Sequence, residues 1–113
     1  MSKINIESKL LNKTTNEIYN INTKAIKDDD ILKFYDNDIL NIIDIKNNLI
    51  ERKNNEYNIK LDFNNEKGIY ILNNFSFDFD IKINNLDKGK NYIEIDYIIY
   101  MDEVKEYNYR IRW

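Results

Sequence analysis

The chain has 113 residues, of which 42% are hydrophobic and 33% charged, and its formal net charge is −3. This balance is typical of one globular domain, and it excludes a disordered chain and a strongly basic surface that would attract nucleic acid or an anionic membrane. The chain contains no His and no Cys, which excludes disulfides, nucleophile systems built on thiol or imidazole, and zinc sites built on those ligands.

The first segments of the chain alternate apolar and polar residues, which predicts β-strands with one buried face. Ile4 and Ile6 alternate with polar neighbours close to the N-terminus. Further along, Tyr19, Ile21 and Ala25 fall on one side of a second predicted strand. We expect these residues to face a common interior.

The segment from residue 30 to 53 fits two patterns. Its large apolar residues approximate a helical stripe, which would make the protein α+β. These residues are Ile31, Phe34, Tyr35, Ile39, Ile42, Ile43, Leu49 and Ile50. Against a helix, the segment is rich in β-branched Ile, lacks Ala, and is interrupted by Asn37-Asp38 and Asn47-Asn48. We therefore favour three short strands, near residues 31–35, 39–46 and 49–53.

The rest of the chain alternates more regularly. Four predicted strands each place their large apolar side chains on one side, and mostly polar residues lie between them. The four apolar sets are Tyr57, Ile59, Leu61 and Phe63; Phe75, Phe77, Phe79, Ile81 and Ile83; Ile93, Ile95, Tyr97, Ile99 and Met101; and Tyr107, Tyr109, Ile111 and Trp113. Each strand is expected to have one buried and one solvated face.

Turn signals separate these strands. Asn adopts positive φ more readily than other non-Gly residues, and tight hairpin turns need that conformation. The candidates are the pairs Asn47-Asn48, Asn54-Asn55, Asn64-Asn65, Asn73-Asn74 and Asn84-Asn85, with Asn37-Asp38, Lys67-Gly68 and Lys88-Gly89-Lys90. Turns at this spacing indicate a β-meander or a barrel.

The predicted strand over residues 75–83 would be about 30 Å long. Long coiled strands with one apolar face are typical of barrels, and closure of a barrel removes exposed sheet edges. We therefore predict an all-β protein, a small antiparallel up-and-down barrel of about eight to ten strands, formed by residues 1–113 as one domain. The sequence contains no apolar run suited to a signal peptide or a spanning helix, so we expect a soluble cytoplasmic protein.

The order of segments resembles the YwiB-like family of small calycin-type β-barrel proteins, a family of unknown function. The resemblance is carried by residues 42–45 with the hairpin over 46–53, by residues 59–68 and 75–79, and by the last hairpin, residues 92–101 with 105–113. The family usually has a Gly, often after Pro, in the turn where this chain has Asn73-Asn74. A basic residue ends the family's fifth strand, and either Arg52 or Lys53 matches it. The resemblance implies a calycin-like barrel and brings no known activity.

Two acidic patterns are candidate chemical sites. The runs Asp28-Asp29-Asp30 and Asp36-Asn37-Asp38 offer oxygen ligands for calcium or magnesium. They lack the central Gly and final Glu of an EF-hand loop, so solvated turns are the favoured interpretation and no metal is expected. Asp78 and Asp80 share a strand face, as a hydrolytic carboxylate pair would. Their face is opposite the Phe residues, so we expect both to be solvated.

The C-terminal segment, residues 107–113, interleaves basic and aromatic residues, as some RNA-binding sheets do. However, alternation places Tyr109 and Trp113 on one face and Arg110 and Arg112 on the other. An RNA platform requires exposed aromatic residues beside the positive charge. We therefore expect no binding of nucleic acid, and no membrane binding.

Aromatic residues supply the main functional candidates, since the chain has nine Tyr, five Phe and one Trp. The residues predicted to face inward, and so to line a ligand cavity, are Phe63, Phe77, Phe79, Tyr97, Tyr107 and Tyr109, with Trp113 beside them. Their bulk favours a barrel that is filled by its own side chains. The alternative is a cavity that holds a small apolar ligand, with Tyr hydroxyls fixing its orientation.

The function remains unknown from sequence, and three hypotheses are ranked. The first is a non-catalytic barrel that binds a small apolar or amphipathic ligand in its interior. The second is an interaction or structural module, such as a homodimer, because Tyr92, Ile98 and Tyr100 are apolar residues on the polar side of their strand. An enzyme ranks last, because the sequence shows no matched acid–base or nucleophile pair and implies no cofactor.

Overall fold

A computed structural model describes all residues from 1 to 113 and contains strands and turns but no helix. The strands are β1 (Ser2–Asn12), β2 (Glu17–Asp28), β3 (Ile31–Asp36), β4 (Ile39–Asp44), β5 (Leu49–Lys53), β6 (Tyr57–Asp62), β7 (Lys67–Leu72), β8 (Phe75–Gly89), β9 (Tyr92–Tyr100) and β10 (Val104–Arg112). Each strand pairs antiparallel with the next, and β1 also pairs with β10, so the sheet closes into a barrel. The predicted all-β up-and-down barrel is confirmed. No helix of the chain is long and apolar enough to cross a bilayer.

The ambiguous middle segment forms three strands, β3 to β5, and the helix alternative is wrong. Asn37 and Asn48 adopt positive φ angles of 54° and 55°, which reverse the chain between neighbouring strands. Leu32 pairs with Ile43, and Ile43 pairs with Ile50, so three apolar side chains form one buried row across the sheet. The helical stripe in the sequence arises because three short strands with period two, together with their turns, mimic a period near four.

Alternate residues of every strand point into the barrel and form one hydrophobic core. Its fully buried members are Ile6, Ala25, Leu32, Phe34, Ile43, Ile50, Leu61, Phe63, Phe79, Ile81, Ile93, Ile95, Tyr97, Ile99, Tyr109 and Ile111. The β9 pattern is the most regular, because this strand is paired along most of its length on both sides. The predicted assignment of inner and outer faces is confirmed for β9 and β10.

The two ends of the barrel differ. We call the end that carries the β2–β3, β4–β5, β6–β7 and β8–β9 turns the closed end, and the opposite end the open end. At the closed end, backbone hydrogen bonds join each turn to the next part of the rim. These bonds run from Ile45 N to Asp30 O (2.8 Å), Phe63 N to Asn48 O (3.1 Å), Ile81 N to Glu66 O (3.0 Å) and Trp113 N to Asn91 O (2.9 Å).

Side chains also cover the closed end. Lys88 Nζ donates to the carbonyl oxygen of Ile45 at 3.0 Å and to Asn48 Oδ1 at 2.8 Å. Asn48 Nδ2 donates to Asn64 Oδ1 at 2.8 Å, which connects the β4–β5 and β6–β7 turns. Phe63 lies fully buried beneath them. These contacts close this end of the barrel, so access to the interior is from the opposite end.

The wall of the barrel is incomplete between β2 and β3. Only three residue pairs join these strands, from Ile26↔Lys33 to Asp28↔Ile31, and all lie near the closed end. Residues 17–25 of β2 pair with β1 on one side and have no strand partner on the other. The two strands therefore diverge toward the open end and leave a lateral gap in the wall.

Several predicted turns lie elsewhere. Asn84-Asn85 is within β8, where the register shifts between Ile83 and Asn85, as at a β-bulge. Gly68 is paired inside β7, and the preceding Glu66 adopts the positive φ of 54°. Gly89 is the last residue of β8, so the turn to β9 follows it. These residues were predicted as turns but lie within strands, because Asn and Gly also occur at bulges and at close packing contacts within strands.

Candidate functional site

A cavity of about 830 Å³ occupies the open half of the interior. Half of its lining residues are hydrophobic. The lining includes inward-facing residues such as Leu10 and Ile21, and also Ile18 and Asn20 from the outer face of β2. Because both faces of β2 contribute, the cavity reaches solvent through the lateral gap beside that strand. This cavity departs from the favoured prediction that side chains fill the barrel.

Three tyrosines form the wall of the cavity on β9 and β10. Tyr97 and Tyr107 are cross-strand neighbours whose ring centroids lie 5.4 Å apart in a stacked arrangement. Ser8 Oγ donates a hydrogen bond to the Tyr109 hydroxyl at 3.2 Å. No side-chain hydrogen bond occupies the hydroxyl groups of Tyr97 and Tyr107. The wall therefore combines large apolar rings with hydroxyl groups that retain hydrogen-bonding capacity.

Arg52 is the unexpected member of the site. It pairs with Asn41 on β4 and Ile59 on β6, and it lies two residues after the buried Ile50, so its side chain points into the barrel. Its Nε atom is buried and has no hydrogen-bond partner. Its guanidinium belongs to none of the five ion pairs of the structure. A positive group with free donors therefore faces the cavity.

Four charged residues line the cavity, and their formal charges cancel. Arg52 and Lys105 are positive, while Glu17 and Asp36 are negative. Glu17 lies at the rim, where its Oε2 accepts a hydrogen bond from the Tyr19 hydroxyl at 2.7 Å. That hydrogen bond is the main cause that lowers the pKa of Glu17, and the Lys105 charge acts in the same direction. Glu17 is therefore held ionised at the entrance.

Burial controls the ionisation of the inner tyrosines. It raises the pKa of the Tyr97 hydroxyl strongly, and the nearby Tyr107 and Tyr109 add to that effect. Burial also raises the pKa of Tyr109, while its hydrogen bond from Ser8 and the Arg52 charge act in the opposite direction. Both hydroxyls are thus neutral at physiological pH and can donate hydrogen bonds to a ligand.

The six predicted site residues occupy three different places. Tyr97, Tyr107 and Tyr109 line the cavity, as described above. Phe63 lies in the core toward the closed end, where its ring meets Tyr97 edge-on at 5.1 Å. Trp113, which the sequence placed beside these six residues, lies at the closed end, away from the cavity. The tyrosines are thus brought together, while Phe63 and Trp113 contribute to packing.

Phe77 and Phe79 line a second depression at the open end, which shares Tyr107 and Lys105 with the cavity. Phe77 is on the same face of β8 as the buried Phe79 and Ile81, but it is 43% exposed. Its strand β8 pairs with β9 only from Asp80 onward, so Phe77 is on a part of the β7–β8 hairpin that extends beyond β9. There its ring stacks on Tyr70, with centroids 5.3 Å apart.

Sequence reasoning missed the polar lining of the cavity. Ser8 and Asn41 are buried, and Arg52 faces inward beside them, yet all three are polar and were not assigned to the interior. The spacing of two residues between Ile50 and Arg52 indicates that both side chains share one strand face, and this spacing could have placed Arg52 in the interior. The resemblance left Arg52 and Lys53 as equivalent candidates for the basic end of the fifth strand. The register shows that Arg52 points inward and Lys53 outward.

The other candidate sites are placed on the outside or at the ends. The two acidic runs lie in the turns at opposite ends of β3, so they do not combine into one site. Asp78 and Asp80 are exposed on the outer face, as predicted, and Lys67 forms an ion pair with Asp80. Arg112 is also on the outer face, where it pairs with Glu7 at 2.7 Å.

The apolar residues proposed for self-association lie on the outer face of β9. Tyr92 is half-buried and donates a hydrogen bond to Asp87 Oδ2 at 3.0 Å. Ile98 is half-buried, and Tyr100 is exposed beside Val104 of the neighbouring strand. No feature of this patch identifies what covers it, so the homodimer stays a prediction.

Comparison with known proteins gives no further assignment: no family model, curated protein or solved structure matches the chain. The resemblance to the YwiB-like family therefore stays a prediction.

Proposed function

We propose that the protein is a non-catalytic barrel that binds a small amphipathic ligand in the open half of its interior. The observation that carries this proposal is the cavity of about 830 Å³, which lies within the usual range for ligand pockets and has apolar and polar lining in equal parts. A barrel interior that served only stability would be filled by its own side chains.

The arrangement of the lining supports an amphipathic ligand over a purely apolar one. The hydroxyls of Tyr97 and Tyr107 and the side chain of Asn41 offer hydrogen bonds to the cavity. The half-buried Leu10, Ile21 and Ile39 offer apolar contact. A ligand with one polar end and an apolar body would satisfy both regions, while a hydrocarbon would leave buried polar groups unpaired. Binding requires no bond to be made or broken, and the cavity contains no matched nucleophile and base.

The test uses the neutral fluorescent probe N-phenyl-1-naphthylamine, whose emission rises in an apolar environment. We expect a saturable rise in emission on titration into the wild-type protein. Ile21→Trp places a bulky ring in the cavity and should reduce probe affinity by about tenfold or more, since apolar contact area is lost. Leu49→Trp is the matched control, because Leu49 is on the outer face next to the inward-facing Ile50.

Circular dichroism and thermal unfolding of both variants would verify that the barrel is intact. The proposal is contradicted by the absence of a saturable signal in the wild type. Equal loss of binding in Ile21→Trp and Leu49→Trp would also contradict it, because the probe would then bind outside the cavity.

A further inference from the structure

Two inward-facing charges of the cavity, Arg52 and Asp36, belong to no ion pair of the structure, and of the two only Arg52 has a buried polar atom without a partner. Arg52 has a buried Nε with no acceptor, and no carboxylate forms an ion pair with its guanidinium. Arg52 is half-buried, and partial removal of a charged group from water is unfavourable unless an opposite charge or hydrogen bonds compensate. The position of Arg52 is therefore unfavourable in the empty barrel and becomes favourable when an anion occupies the cavity.

We infer that the ligand is a monocarboxylate with an apolar body, whose carboxylate is bound by Arg52 on the β5 wall of the cavity. This inference rests on the proposed function and specifies its ligand class. The planar guanidinium offers parallel N–H donors that match the two oxygens of a carboxylate. Asn41, its cross-strand neighbour, and the hydroxyls of Tyr97 and Tyr109 supply further polar contacts to the same anion.

The charges of the lining favour a single negative charge on the ligand. Arg52 and Lys105 are offset by Asp36 and Glu17, so the lining is formally neutral. A monocarboxylate would leave one net negative charge in the filled site, whereas a phosphate dianion would leave two. Lys105 and Glu17 lie at the rim and influence each other there. Arg52 is thus the positive group available to an anion inside, and Asp36 opposes a second negative charge.

The orientation of the ligand follows from the distribution of side chains. Arg52 is half-buried beside its buried cross-strand neighbour Asn41, whereas Tyr19 and Ile18 at the gap are each 52% exposed. The carboxylate would therefore lie inside, and the apolar body would extend toward the lateral gap between β2 and β3. Because the strands are unpaired there, a chain-like ligand can enter without breaking ladder hydrogen bonds.

The experiment compares three ten-carbon probes that differ only in the head group: decanoate, decanol and decylamine. Each displaces N-phenyl-1-naphthylamine from the full-length protein, and calorimetry measures the affinity directly. We expect decanoate to bind about tenfold or more tightly than decanol, which is the usual effect of a charge-assisted hydrogen bond, and decylamine to bind weakest.

Arg52→Met should remove the advantage of decanoate over decanol, and Arg52→Lys should restore part of it. Lys53→Met is the matched control, since the adjacent Lys53 points outward and should leave the preference unchanged.

The outcomes separate the two proposals. If the naphthylamine probe does not enter the wild-type barrel, the proposed function fails and this inference fails with it. If the probe enters but decanoate and decanol displace it equally, or Arg52→Met keeps the preference for decanoate, the inference alone is overturned. As a control for folding, Arg52→Met must still bind the naphthylamine probe. If Arg52→Met does not fold, Arg52→Lys is tested in the same assay. An unchanged tenfold preference of Arg52→Lys for decanoate over decanol would contradict bidentate recognition, because Lys lacks the planar pair of donors.

Discussion

The ring of Phe79 lies directly over the backbone of Gly68, its cross-strand partner. A Cβ atom added to Gly68 would come within 2.2 Å of Cζ of that ring. Phe79 is itself buried, so it has little space into which it could move. Gly68 is thus selected by close packing and not by an unusual φ angle.

We therefore expect Gly68→Ala to lower the free energy of unfolding by about 1–3 kcal/mol, as overpacking of a filled core does. Urea denaturation followed by circular dichroism would measure the change. Gly89→Ala is the control, because its added Cβ meets the half-exposed Tyr92 ring, which can rotate into solvent. An effect of Gly68→Ala no larger than that of Gly89→Ala would contradict this account.

The turn between β7 and β8 depends on Asn73, which has a φ of 52°. Left-handed backbone costs a residue with a Cβ about 1–2 kcal/mol, and Asn tolerates it better than most. We expect Asn73→Ala to lower the free energy of unfolding by about 1 kcal/mol, and Asn73→Gly to leave it unchanged or raise it. Asn74→Ala serves as the control, since Asn74 has a negative φ. Thermal unfolding of the three variants would decide, and equal effects of both alanine substitutions would count against a conformational cause.

Stability should fall at alkaline pH because of the buried tyrosines. Burial raises the pKa of Tyr97 and Tyr109 above the ordinary value of 10.0, so above that pH the unfolded chain loses protons that the folded chain keeps. The free energy of unfolding then decreases as pH rises. We expect a nearly constant urea midpoint between about pH 7 and 9, where the chain has no His to titrate, and a decline above about pH 10.

Tyr97→Phe would isolate this contribution, because exposed lysines such as Lys13, with a pKa raised by its hydrogen bond to Asp96, act in the same direction. The alkaline decline should be shallower in Tyr97→Phe than in the wild type. Identical slopes in the two proteins would rule out a contribution of the Tyr97 hydroxyl.

Arg52 should reduce the stability of the empty barrel. Replacement of an unpaired, partly buried charge by an apolar residue of similar length removes a desolvation cost. We expect Arg52→Met to raise the free energy of unfolding without ligand by about 1 kcal/mol, a modest value because the side chain is only partly shielded from water. Lys53→Met should have little effect. A clear loss of stability in Arg52→Met would show that the guanidinium already has its partners within the protein.

Hydrogen exchange should distinguish the gap from the rest of the wall. Residues 17–25 of β2 lack a strand partner on one side, so their amides on that side are expected to exchange quickly. Amides of β9, such as those of Ile95 and Ile99, lie between two paired strands and should exchange slowly. Nuclear magnetic resonance of the exchanging protein would measure both. Slow exchange along the whole of β2 would show that the gap is closed in solution.

The strand faces were predictable from the sequence, because burial on one face imposes period two on the residues. This signal is clearest in β9, where Ile93, Ile95, Tyr97 and Ile99 are all buried. It weakens in β8, where Phe77 follows the pattern but lies beyond the end of β9. Phe77 is exposed because β9 ends before reaching it. Where a neighbouring strand ends is set by the tertiary fold and cannot be read from the alternation within β8.

The lining of the cavity was only partly predictable. The tyrosines were identified because large aromatic residues on an inner face stand out. Arg52, Ser8 and Asn41 were missed because an inward polar residue contradicts the rule by which inner faces are recognised. The lateral gap also escaped prediction, since the turn at Asp29 gives no indication that β2 and β3 diverge after three residue pairs.

The hydrogen bond from Ser8 to Tyr109 joins residues 101 positions apart, and it spans the seam where the first strand meets the last. A nascent chain cannot form this seam until residues 104–112 have been synthesised. Until then, the edges of β1 and β9 that later pair with β10 are unpaired. Contacts of such long sequence separation also form slowly in refolding. We therefore expect the cavity wall that Tyr107 and Tyr109 supply to assemble late in folding.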